Sequence, residues 1–138
     1  MNARIALSAI ALCIAGNAAQ AELVLVANSS APISSLSASQ VSRLFLGQTD
    51  LLPNGAKAVP LAVSGDTEDQ FSREILKKSP EQVEKYWARM IFTGKAKPPR
   101  EVKVGEVKAA VSGTPGAISY MERSQVDGSL KIIPISAN

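Results

Sequence analysis

The hydrophobic positions of the chain fall into short blocks with two different periods. Leu23, Val24, Leu25 and Val26 form an unbroken aliphatic run within 22–27, which predicts a strand buried on both faces. The stretch 28–37 is polar and serine-rich, contains Pro32, and reads as a loop. Val41, Leu44 and Phe45 then recur at helical spacing behind Ser39, a candidate N-cap, with Gly47 placed to end a short helix. Pro53-Asn54-Gly55 marks a turn, and 58–63 is apolar enough for a second buried strand. The next helix has Phe71, Ile75 and Leu76 on its core face. Asp66 and Thr67 are both good caps for it, and Thr67 and Gln70 have capping-box spacing.

Ser79-Pro80-Glu81-Gln82 is a stronger start signal: a serine cap, proline at the first helical position and glutamine three residues after the cap. Val83, Tyr86, Trp87, Met90 and Ile91 follow as one apolar stripe, and core packing is the simplest role for the two aromatics. Gly94 ends this element. Lys95, Lys97, Arg100 and Lys103 surround Pro98-Pro99 in a basic connection that lacks the interleaved aromatics of a nucleic-acid surface. A short helix over 106–111 leads to the turn Ser112-Gly113-Thr114-Pro115-Gly116. Strands are predicted over 117–121 and 130–135, with Asp127-Gly128 turning between them. Strands alternating with helices predict an α/β fold, a central sheet flanked by helices.

The first 21 residues change the picture of where this fold works. Arg4, the apolar run 5–15 and Ala19-Gln20-Ala21 have the order of an export signal cleaved before Glu22. The run is too short to cross a bilayer, which takes about 20 apolar residues, so no membrane insertion is expected after cleavage. Bulky Leu12 before Cys13 argues against a lipid-bearing cysteine. Cleavage therefore discards Cys13, the single cysteine. An exported domain over 22–138 without thiols is expected, with one hydrophobic core and no room for a second full domain.

The chain has no histidine, and its net charge of +3 includes Arg4, the only charge in the leader. Serine triads, histidine phosphotransfer and zinc hydrolysis each lose a required part, so neither catalysis nor a metal nor a cofactor is expected. One turn remains that can hold a ligand without them. Ser64-Gly65-Asp66-Thr67 lies between a predicted strand and a predicted helix, where unpaired backbone N–H groups and the helix dipole favour an oxyanion. Glycine allows close approach, and the hydroxyls add donors. Asp66, Glu68 and Asp69 fit an ordinary acidic first turn equally well, and they repel anions. The 112–116 turn, with Thr114, could line a cleft or serve only as a turn.

Read in order, these segments resemble the phosphate ABC transporter substrate-binding proteins, in a short form with about one lobe. The likeness rests on Leu23–Val26 with Asn28, on Leu44-Phe45-Leu46-Gly47, and on Val59-Pro60-Leu61 before the Ser64 turn. It continues through Phe71, Tyr86-Trp87, Ile91-Phe92-Thr93-Gly94-Lys95 and Thr114-Pro115-Gly116-Ala117-Ile118-Ser119-Tyr120. The resemblance implies one lobe of a type II periplasmic-binding-protein-like fold with a mixed central sheet. It further implies phosphate or a related oxyanion as ligand, held by Ser64, Gly65 and Thr67 with Thr114 contributing. An ABC permease or a second subunit is the implied partner. Three positions depart from the family: Asp66 stands where threonine is common, apolar Leu61–Val63 where an arginine often precedes the loop, and Ser119 where glycine is usual. The rival reading is an interaction module of an envelope complex that no longer binds a ligand.

Overall fold

The aliphatic run near the N-terminus becomes the interior of a sheet. The computed structural model describes residues 22–137, and the expected leader with Cys13 lies outside the described residues. In chain order the strands are β1 (Leu23–Asn28), β2 (Leu36–Ser37), β3 (Val59–Val63), β4 (Arg100–Val102), β5 (Ala117–Glu122), β6 (Leu130–Ile133) and β7 (Ile135–Ser136). Four α-helices accompany them: α1 (Ala38–Phe45), α2 (Asp66–Glu74), α3 (Pro80–Phe92) and α4 (Val107–Gly113). The main sheet runs β4-β3-β5-β1-β6, while β2 and β7 pair separately. β1 opposes both β5 and β6, whereas β3 runs parallel to β4 and β5. Four strands thus share one direction and β1 alone opposes them, which gives the expected mixed sheet flanked by helices.

Burial follows the period of each segment. Leu25, Val26 and Ala27 of β1 are fully buried because neighbours cover both faces and both edges of the strand. α4 lies across β5, β1 and β6 and buries Val107 and Val111 there. α1 and α2 meet β5 through three rings. Phe71 stacks on Tyr120 with centroids 3.9 Å apart, and Phe45 meets the edge of Phe71 at 4.8 Å.

Several boundaries differ from expectation for physical reasons. α1 is capped by Ser37 rather than Ser39, because only Ser37 has a glutamine three residues on to complete a capping box with Gln40. α3 starts as predicted, with Ser79 and Gln82 capping each other. Its stripe, however, contributes no buried residue. The helix rests on the rim of the core, where Tyr86 Oη donates to the Leu46 carbonyl at 2.6 Å and the Trp87 ring lies over Gly47. The basic connection contains an edge strand, β4, whose three residues carry too little periodicity to be read as one. Pro134 splits the last predicted strand into β6 and β7, since it offers no N–H to the ladder.

Candidate functional site

The exit end of β3 is built by side chains from β5. β3 pairs with β5 only at Val59 and Pro60, and beyond them it turns to β4, pairing Leu61 to Val63 with Arg100 to Val102. Two side chains of β5 bridge the opening left between the strands. The Ser119 hydroxyl donates to the Leu61 carbonyl at 2.9 Å, and the Val63 N–H donates to Tyr120 Oη at 3.0 Å. Both residues are buried. Ser119 thus does work that glycine in its place has no side chain to do. Burial pushes the Tyr120 phenol well above its ordinary pKa, so it stays neutral and can accept from Val63.

This bracing fixes where the chain leaves β3. Ser64 N–H donates to the Val102 carbonyl at 3.0 Å, and its hydroxyl also points to that carbonyl at 3.4 Å. Gly65 follows at φ 93°, ψ −152°, a region open essentially to glycine alone, and no atom stands where its side chain would be. Sequence reasoning assigns the cap of α2 to Asp66 or Thr67. The structure places Gly65 there instead, and no side chain caps the helix. The N-terminus of α2 therefore meets solvent at an exposed glycine, beside half-buried Ser64 and Thr67.

The electrostatics work against an anion at the same turn. Asp66, Glu68 and Asp69 occupy the first turn of α2. Partial burial, reinforced by the charges of Glu101 and Asp69, raises the Glu68 pKa above its ordinary value. Glu68 and Asp69 open onto a recess of about 510 Å³ between α2, α3 and β4, which Glu84, Glu101 and Trp87 also line. Glu101 lies on β4, and only the pairing of β4 with β3 brings it near Glu68.

Ser64, Gly65 and Thr67 come together at one turn, and Thr114 does not join them. Val59 lies opposite Ala117 in parallel strands, so Thr114 precedes β5 at the entry end while Ser64 follows β3 at the exit end. At about 3.3 Å per residue, the five residues of β3 hold the two ends roughly 16 Å apart. The Thr114 turn has a structural task of its own. Gly116 adopts φ 78° and a Cβ there would lie 2.5 Å from the Lys57 carbonyl oxygen, while its own carbonyl accepts from Val59 N–H.

No family model matches the chain, and no curated protein matches it in sequence. Solved structures do. A phosphate ABC transporter substrate-binding protein from Clostridium perfringens, solved with bound phosphate, superposes with a TM-score of 0.61 at 18% identity. An ABC-type phosphate transport receptor from Vibrio cholerae gives 0.60 at 18% identity, and PstS from Borrelia burgdorferi 0.63 at 17%. The chain has their fold. It is covered over 82–84% of its length but spans only 44–48% of theirs, which is the extent of a single lobe. Among the described residues no helix is long and apolar enough to cross a membrane.

Proposed function

We propose that the chain is a periplasmic solute-binding-type protein without catalysis, which takes phosphate or a related small oxyanion for transport or sensing. Ser64, Gly65 and Thr67 hold the anion. The observation that carries this reading is the uncapped N-terminus of α2 behind Gly65, at the strand exit of a fold shared with a protein solved with bound phosphate. Backbone N–H groups at that turn supply the donors, and the Ser64 hydroxyl joins them by rotating away from Val102. Thr114 is too distant to take part. One lobe encloses only part of an anion, and three carboxylates oppose it, so binding is weak, with Kd in roughly the millimolar range.

The same carboxylates favour a second reading, in which the fold survives as an interaction module of an envelope complex. Isothermal titration with phosphate and with sulfate, on the wild type and on Asp66→Thr, separates the two. Heat from the wild type, or a clear gain of affinity in Asp66→Thr, supports the oxyanion site. A folded protein of either kind that gives no heat at tens of millimolar anion leaves only the module.

A further inference from the structure

Helix α3 carries the only two adjacent large hydrophobics that stand exposed among the described residues: Ile91 at 57% and Phe92 at 92%. Such a pair on a monomer surface calls for a cover. Charge on either side of the pair indicates which cover fits. On one side is the α2–α3 recess with Glu68, Glu84 and Glu101, and Ile91 forms part of its wall. Directly after Phe92 in the chain come the exposed cations Lys95 and Lys97, which line a separate recess with Gly47 and Asp50 and not the acidic one. Among the described residues none of these five charged side chains has an ion-pair partner. Burial first, and then the charges of Glu101 and Asp69, raise the Glu68 pKa above its ordinary value.

An apolar centre flanked by an acidic hollow and a basic loop is complementary to itself under a two-fold rotation. One copy's loop meets the other's recess, and the reverse contact forms at the same time. We propose that the cover of α3 is a second copy of this chain. Ile91 and Phe92 of the two protomers pack at the axis, and Lys95 and Lys97 of each reach the recess of the other. Because that recess shares Glu68 and Asp69 with the first turn of α2, each protomer also places cations beside the partner's Ser64 turn. The dimer itself needs no anion to form. Its test is therefore independent of the function proposed above.

Sedimentation equilibrium of the purified protein, without phosphate or sulfate, reads the association directly. A monomer–dimer equilibrium is expected that weakens by roughly tenfold as ionic strength rises from about 0.05 to about 0.5 M. Phe92→Glu should abolish it. The doubly reversed variants Glu84→Lys with Glu101→Lys, and Lys95→Glu with Lys97→Glu, should each be monomeric alone and associate when mixed, since mixing restores opposite charges at both contacts. All these changes are on exposed side chains, and circular dichroism verifies folding before each run. A wild type that stays monomeric at hundreds of micromolar overturns the proposal. So does a dimer that persists in Phe92→Glu and in both charge-reversed variants.

Discussion

Replacing Tyr120 by phenylalanine removes one oxygen and tests what holds the exit of β3. The ring would keep its stack on Phe71, at 3.9 Å and 2° between planes, so little volume is lost. The Val63 N–H loses the acceptor it has at 3.0 Å, and both residues are almost fully buried. A buried donor left without a partner costs about 1–3 kcal/mol. For a domain of this size that lowers Tm by about 4–12 °C. The variant should also change the alkaline limb of stability. In the wild type the buried phenol resists ionising, whereas the unfolded chain loses that proton near pH 10. The folded state then binds more protons than the unfolded state, so wild-type stability falls as pH rises past about 10, and the phenylalanine variant lacks this fall. Thermal and urea unfolding at neutral and alkaline pH, with hydrogen exchange at the Val63 amide, give the readouts. A loss below about 0.5 kcal/mol, with the Val63 amide as protected as in the wild type, would refute the bracing role.

Three further outcomes follow from other contacts. Gly116→Ala should destabilise by at least about 1–3 kcal/mol in urea unfolding, since it combines φ 78° with a clash on the Lys57 carbonyl, while Gly105→Ala, in open space, stays within about 0.5 kcal/mol. Sulfate keeps its charge through the carboxylate range, so its affinity should rise as the pH falls and Glu68, whose pKa burial raises, takes up its proton; calorimetry of Glu68→Gln should show a flatter dependence. The Asp127 carboxylate pairs with Lys108 and accepts from the Ser129 N–H and hydroxyl, and these partners lower its pKa to about 2. Its contribution is present above the usual carboxylate range and disappears as the pH falls towards 2, and an NMR titration should show the midpoint move up in Lys108→Ala.

The parts of the fold legible in the sequence are those with a strong period or a complete cap. The β1 run, the Ser79–Gln82 capping box and the apolar strand before Ser64 all stand where the residues place them. β4 was not legible, because Arg100 and Glu101 are exposed and only Val102 faces the core, so pairing with β3 decides its conformation. The α3 stripe misled for a different reason. Amphipathic spacing states that one face is covered without stating by what, and here the main core leaves Ile91 uncovered. At the candidate site the Ser64 turn was visible as a strand-to-helix junction. Its separation from Thr114 was not, because nothing local in either segment records that β3 and β5 run parallel. Ser119 and Tyr120 likewise read as strand residues, and their hydrogen bonds to β3 span 57 and 58 residues of sequence.

The role proposed for the first-turn amides of α2 is to receive an oxyanion. An NMR titration that follows the amide signals of Gly65, Asp66 and Thr67 while phosphate is added tests it residue by residue. Saturable shifts are expected at these three amides, weakened in a variant that removes the Ser64 hydroxyl and absent around Thr114. Shifts confined to the basic residues Lys95 to Lys103, or none at any amide of the α2 turn, would contradict it.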